Sequence, residues 1–301
     1  MFVDIYAIQN VPPSNINRDD TGSPKTAYYG GVLRARVSSQ AWKRAIRHEF
    51  KDTLPKDTLG VRTKLAVALI AERVTKSGDV SQERAEELAS AVIQAAGLTV
   101  KASGRAGSQT GKPVTEYLIF IAESELNNLA RIAINWNADN EDISKPSATM
   151  KKDVLGAFHG VQAIDIALFG RMLADAPNLN EDASAQVAHA ISVDKVTQEY
   201  DYFTAVDDCA DGDNAGAAMI DTVSFNSSTL YRYATVNVNA LELQLGDKEA
   251  AAQGVVAFVE AFIRSMPTGK QNTFANRTLP SSIVVALRKD QPINMVTAFE
   301  D

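Results

Sequence analysis

The chain has 301 residues, 45% of them hydrophobic and 22% charged, and a formal net charge of −7. This describes a globular protein of one domain with large insertions or of two domains, with no apolar run long enough to span a membrane. The single cysteine, Cys209, excludes an internal disulfide framework and is the usage of a reducing cytoplasm. His48, His159 and His189 are scattered, and none stands at metal-ligand spacing from Cys209 or from another histidine, so neither a metal nor another cofactor is expected. His189, inside an apolar stretch, is expected to be a hydrogen-bonded core histidine.

The chain starts Met1-Phe2-Val3-Asp4-Ile5-Tyr6, which reads as a strand over 2–8 with no signal peptide before it. A loop over 12–22, rich in Pro, Asn and Gly, follows. Residues 25–51 then hold seven Lys/Arg (Lys25, Arg34, Arg36, Lys43, Arg44, Arg47, Lys51) against Glu49 alone, a net of +6 inside a chain of net −7. A local concentration of positive charge in an acidic protein suits a repeating polyanion. Residues 32–37 alternate, with Arg34 and Arg36 on one side and Leu33, Ala35 and Val37 on the other, the pattern of a half-buried strand. Ser38 or Ser39 has N-cap chemistry for a following helix, whose core stripe is Ala41, Trp42, Ala45, Ile46 and Phe50. Lys43, Arg47 and Lys51 recur every fourth residue on another face. With the free N–H groups and positive dipole end of the first turn, Ser38, Ser39, Gln40 and Lys43 can hold a phosphate.

Residues 58–96 read as helical, with a second helix starting at Ser81. Residues 100–115 form a Gly-, Ser- and Lys-rich loop, basic through Lys101, Arg105 and Lys112, which is either a nucleic-acid contact or a connector. A segment at 117–121 and helices near 124–136 and 150–173 complete a mainly helical insert. Strands follow at 187–193 and 230–238, a helix at 247–266 and a strand at 282–287. With 52–183 and 194–222 treated as insertions, the order strand, helix, strand, strand, helix, strand is ferredoxin-like, an α+β fold shared with RNA-recognition domains whose sheet presents a nucleic-acid surface. Residues 194–222 carry eight acids against Lys195, with Gly212, Asn214 and Gly216 fitting a hairpin tip and Tyr200, Tyr202 and Phe203 near its base. The acidic tip either meets a basic surface on another molecule or solubilises the chain.

Several motifs recur in order: Asn17-Arg18-Asp19-Asp20; Gly30-Gly31 with Arg34-Ala35-Arg36-Val37-Ser38-Ser39-Gln40 and Lys43-Arg44-Ala45; Asp165-Ile166-Ala167-Leu168-Phe169-Gly170-Arg171-Met172; Ala188-His189-Ala190-Ile191; Phe203-Thr204-Ala205-Val206-Asp207-Asp208; and Tyr231-Arg232-Tyr233-Ala234. Together they closely resemble the repeated, CRISPR RNA (crRNA)-binding backbone subunit of the type I-E Cascade complex. The resemblance implies an RNA-recognition-like palm at 1–51 and 184–301, helical fingers at 52–183 and a thumb hairpin at 194–222. It implies a cytoplasmic protein whose partners are the crRNA, target DNA through the guide, further copies of itself in a head-to-tail filament and other Cascade subunits, with no membrane. By position, Lys25, Ser38, Gln40, Lys43 and Arg47 would hold the RNA backbone, with Arg18 nearby. Met172, Phe203 and Thr204 would surround a base displaced at regular intervals, and Arg171, next to Met172, is counted among the RNA-binding residues. The sequence ends at Ala298-Phe299-Glu300-Asp301, where members of that family carry further C-terminal sequence.

Two functional readings follow, a non-catalytic RNA-binding scaffold and a metal-assisted RNA endonuclease acting through Asp19 or Asp20. Arg18 beside these carboxylates supports a salt-bridged loop that shapes an RNA groove, and no second acid–base partner stands near them in sequence. Pro267-Thr268-Gly269-Lys270-Gln271-Asn272 lacks Walker spacing and reads as a helix-to-strand connection in which Lys270 can touch RNA.

Overall fold

The structure is a computed structural model and describes residues 1–77, 80–104, 111–139, 141–205 and 219–300. The first predicted strand becomes β1 (Phe2–Ser14), with Val3, Ile5, Ala7 and Val11 buried. Strands β2 (Thr26–Tyr29) and β3 (Val32–Val37) pair across Gly30-Gly31. Both glycines have positive φ, 59° and 73°, as a two-residue hairpin turn requires. Helix α1 (Ser39–Thr53) follows β3 directly and buries Trp42, Ile46 and Phe50.

The chain then forms β4 (Gly60–Thr63), α2 (Ala66–Ser77), α3 (Gln82–Ala95), β5 (Val100–Ala102), β6 (Pro113–Thr115), β7 (Ile119–Ala122), α4 (Glu123–Ala138), α5 (Ala148–Phe158) and α6 (Ile164–Phe169). It continues through β8 (Ala185–Val187), β9 (Ala190–Ser192), β10 (Glu199–Ala205), β11 (Met219–Asn237), α7 (Val238–Leu245), α8 (Lys248–Arg264), α9 (Gln271–Phe274) and β12 (Ser282–Arg288). Two compact units result. The first comprises Met1–Asp52, Ala185–Asn237 and Val255–Asp301, the second Thr53–Ser184 and Val238–Gly254. Residues 238–254 thus belong to the second unit, whereas the sequence reading places them in the palm.

The first unit is built on an antiparallel sheet of order β12-β1-β11-β9-β3-β2, with β8 also paired to β11. With α1, and with α8 from Val255 onward, the fold is α+β and ferredoxin-like, its last strand beside the first and the third next to it. The predicted strand at 187–193 is divided into β8 and β9 at Ala188-His189. The long strand β11 runs past the sheet and pairs there with β10, from Glu199↔Phe225 to Ala205↔Met219. The predicted hairpin tip at 206–218, with Asp207, Asp208, Asp211 and Asp213, lies outside the described residues.

Arg232 of β11 ties this unit together. It is 1% exposed, and its guanidinium carbon lies 3.7 Å from the Trp42 ring centre of α1 and 4.3 Å from that of Phe262 in α8. It donates to Gln9 Oε1 (2.6 Å) and to the Phe262 carbonyl. Burial pushes its pKa down to about 9, still protonated at neutral pH.

The second unit has its own core, contributed by α2, α3, α4 and α5 with Leu173, Ala176 and Leu179. Ser81 caps α3 as its sequence position predicts, accepting from the Arg84 amide. The helix predicted from residue 58 instead begins at Ala66, because 60–63 pair as β4 with β7. The ends of the expected 100–115 loop pair as β5 and β6, and 105–110 lie outside the described residues.

Candidate nucleic-acid interface

Ser38, between β3 and α1, is the N-cap: its hydroxyl accepts from the Ala41 amide (3.3 Å) and its own amide donates to Asn17 Oδ1 (2.8 Å). The Asn17 carbonyl accepts from the Lys25 amide (2.9 Å), and the Lys25 carbonyl accepts from the Arg36 amide (2.9 Å). These bonds fasten the 15–26 segment to the strand that feeds α1, so Arg18, Lys25 and the helix start are held in one place. The buried Asn15 side chain sets the same segment by donating to the carbonyls of Gly22 and Ser224, each at 2.9 Å.

The Ser39 amide donates to His189 Nδ1 at 3.0 Å. Ala41 is satisfied by Ser38, and the Gln40 amide makes no hydrogen bond with a described residue, leaving an outward donor at a positive helix end. Partial desolvation and the charges of Arg36 and Lys25 push His189 below the ordinary histidine range. His189 is hydrogen-bonded as expected, but it is exposed, a surface cap rather than a core histidine. Lys43 and Arg47 are half-buried and Lys51 is exposed, on successive turns of the outer side of α1.

Arg34 departs from the expected outward pairing with Arg36. It is 2% exposed and donates to the carbonyls of Tyr29 (3.0 Å), Ser192 (2.9 Å) and Phe299. Phe299 belongs to a C-terminal segment lying on the outer sheet face, where Tyr6, Tyr231 and Tyr233 stand. Tyr6 donates to the Ile293 carbonyl (2.7 Å), Tyr231 donates to Asn294 Oδ1 (2.9 Å), and the Phe299 ring lies 5.1 Å from that of Tyr231. The sheet therefore does not offer an open tyrosine platform, and its cationic edge at β3–α1 is an accessible basic surface.

Arg171, in the second unit, is a correction to the predicted RNA contacts. Its side chain is 1% exposed, pairs with Glu125 (2.7 Å), donates to the Leu179 carbonyl (2.8 Å) and stacks over Phe158. Burial pushes the Glu125 carboxyl up despite that guanidinium. Arg171 anchors the loop on which Met172 is 84% exposed. In the first unit, Phe203 is half-buried and Thr204 exposed on β10, beside Tyr200 and Tyr202, which are both exposed. Asp19 spends its carboxylate on its own loop, accepting from the Thr21 amide (2.9 Å), the Thr21 hydroxyl (2.7 Å) and the Ser23 amide (3.0 Å), and these bonds lower its pKa. Asp20 is exposed beside it. Among the described residues no three His, Cys, Asp or Glu side chains are grouped to hold a metal ion.

The model of the Cas_CT1975 family, the CT1975-like proteins, matches residues 3–301. The chain belongs to the CT1975-like family. A chain of a CRISPR RNA-guided surveillance complex, pre-nicking, is 37% identical to this CT1975-like chain, with a TM-score of 0.87 over 100% of this chain and 82% of that one. A chain of a second CRISPR RNA-guided surveillance complex is 32% identical, with a TM-score of 0.74 over 100% and 80% of the two chains. No curated protein matches the chain.

In the CT1975-like chain, the first turn of α1 and the 15–26 loop present an outward amide and cations in a pattern that can bind phosphate without reading base edges. The role of His189 escaped sequence reasoning because its partner Ser39 is 150 residues away. The AHAI motif around it was the available signal. Among the described residues no helix is long and apolar enough to cross a membrane.

Proposed function

We propose that this CT1975-like chain is the repeated backbone subunit of a type I-E Cascade surveillance complex, a non-catalytic scaffold that polymerises head to tail along the crRNA. Its main support is the β3–α1 junction, where Lys25, Ser39, Gln40, Lys43 and Arg47 surround a helix start fixed by Ser38, Asn17 and His189. A filament that accepts any guide must hold phosphate, sugar and shape rather than base edges. The β10–β11 ribbon serves as the thumb, with Phe203 and Thr204 receiving the displaced base, while the bases between pair with target DNA. An aromatic stack under such a base is worth about 1–3 kcal/mol. Contact between two different surfaces of successive copies gives an open helix, whose length the RNA then limits.

Co-expression with a CRISPR array and the other Cascade subunits tests this reading. The expected product is a particle containing a short RNA of uniform length and several copies of this chain at regular spacing by electron microscopy. A chain that stays solitary and free of RNA overturns it. Periodic magnesium-dependent cuts in complementary RNA that vanish in Asp20→Ala would replace the scaffold by the endonuclease.

A further inference from the structure

A cleft of about 1060 Å³ opens in the first unit on the side of α1 that carries Arg44 and His48. Its walls are the 16–22 loop, the outer side of α1 and the turn at 265–270 that follows α8. Arg18, Arg44, Lys51, Lys270 and Arg277 all line it. Arg44, Lys51 and Lys270 make no side-chain hydrogen bond or ion pair with any described residue. Of the four acids on the same walls, Asp19 is consumed by its own loop and Glu49 has an interaction of its own, leaving Asp20 and Asp52. Desolvation, and then the charges of Lys51, Arg44 and Arg47 against that of Asp52, hold His48 below the ordinary histidine range.

The turn is rigidly built. Gly269 packs so closely on the Ile16 carbonyl that a Cβ there would collide with it. Lys270 adopts a left-handed backbone (φ 49°), as does Ala275 (φ 47°), at either end of the four-residue α9. Both are conformations that residues other than glycine seldom adopt, so the surrounding packing fixes this turn. Ser265, 3% exposed, also lines the cleft, and its hydroxyl has no hydrogen-bond partner among the described residues.

We propose that this cleft is a second phosphate-backbone site, taking a single-stranded nucleic acid along Arg44, Lys51 and Lys270. Lys51 also stands in the Lys43–Arg47 row, so the cleft continues the cationic line of α1. A protein partner fits less well, because the apolar wall residues Ile16 and Met266 are buried and offer no exposed anchor for a peptide hot spot.

Fluorescence anisotropy of the full chain with a labelled single-stranded RNA, and with the same sequence as DNA, across a salt series counts the contacts. Each phosphate neutralised on a single strand contributes about 0.7 to the slope of log affinity against log salt. Arg44→Ala with Lys270→Ala should flatten that slope by about 1.4, and Arg44→Lys with Lys270→Arg should restore it. A loss on RNA assigns the cleft to the guide; a loss on DNA alone assigns it to the target strand. If both slopes stay unchanged while Lys43→Ala with Arg47→Ala flattens the RNA slope, the cleft proposal fails and the α1 site stands. If a polyglutamate peptide binds, and loses its binding in the Arg44→Ala/Lys270→Ala variant with both slopes unchanged, the cleft is a protein site and the proposal is overturned.

Discussion

His189 Nδ1 accepts a hydrogen bond from the Ser39 amide at 3.0 Å, so a side chain from the β8–β9 junction closes the first turn of the helix carrying Lys43 and Arg47. Nδ1 can accept only when the ring is neutral, with its proton on Nε2.

The pH dependence follows from that bond. His189 is pushed below its usual value of 6.5 by partial desolvation and by the charges of Arg36 and Lys25. The unfolded chain therefore takes up the proton first, and the contribution of His189 is fully present above about pH 6.5 and lost as pH falls through the depressed folded value. His189→Ala should cost about 1 kcal/mol at pH 7.5 and less at pH 5. Urea unfolding at the two pH values measures the difference. An equal cost at both would rule out the neutral cap.

Arg171 and Glu125 form a buried pair at 2.7 Å, and removing either partner strands the other. Arg171→Ala should destabilise the second unit by about 3–5 kcal/mol, whereas Met172→Ala, at a position 84% exposed, should leave its stability within about 0.5 kcal/mol. Thermal unfolding of the two variants makes the comparison. A reduced RNA affinity in a fully folded Arg171→Ala protein would return this arginine to the contact surface.

Arg232 should show a second kind of buried-charge behaviour. Arg232→Ala removes the group stacked on Trp42 and Phe262 and leaves Gln9 Oε1 and the Phe262 carbonyl without their donor, at about 3–5 kcal/mol. Arg232→Met keeps the volume and should cost clearly less. Denaturant midpoints at constant m-value decide this; an equal cost for both variants would mean that the lost hydrogen bonds outweigh packing.

These arginines also mark where sequence reasoning stops. The strands at β1 and β3, the stripe of Trp42, Ile46 and Phe50, the Ser81 cap and the ferredoxin-like order rest on local or periodic patterns, and each was readable. An arginine in a sequence looks like surface charge, and only distant partners decide otherwise. Arg34 is buried by the Ser192 and Phe299 carbonyls, Arg171 by Glu125, and Arg232 by two helices. The covering of Tyr6 and Tyr231 by the 293–299 segment is equally nonlocal. The cation row on α1 was visible because helical spacing alone produces it.

That row gives the next prediction. Lys43→Glu with Arg47→Glu should weaken binding of guide-length RNA by tenfold or more for every base sequence tested, since phosphate contacts carry no sequence information. Anisotropy with several unrelated RNAs, beside a thermal melt showing cooperative unfolding, provides the check. A loss confined to particular sequences would contradict backbone recognition.

The ribbon can be separated from the fold that carries it. Val196 is 4% exposed and its amide donates to the Leu33 carbonyl (2.9 Å), so the chain up to that point belongs to the sheet. Ser224, whose carbonyl accepts from Asn15, must also stay. Tyr200 and Ser224 are cross-strand partners, and replacing 201–223 by Gly-Gly joins them without disturbing either anchor. Phe203 and Thr204 are lost with the ribbon. The shortened protein should melt within about 2–4 °C of the parent, since residues 199–205 of β10 are exposed or half-buried and contribute little core. Assembly on guide RNA, followed by native mass spectrometry, should stop at isolated copies. Full-length assemblies formed without the ribbon would remove it from the contacts between copies and leave the α1 surface as the only support for the filament.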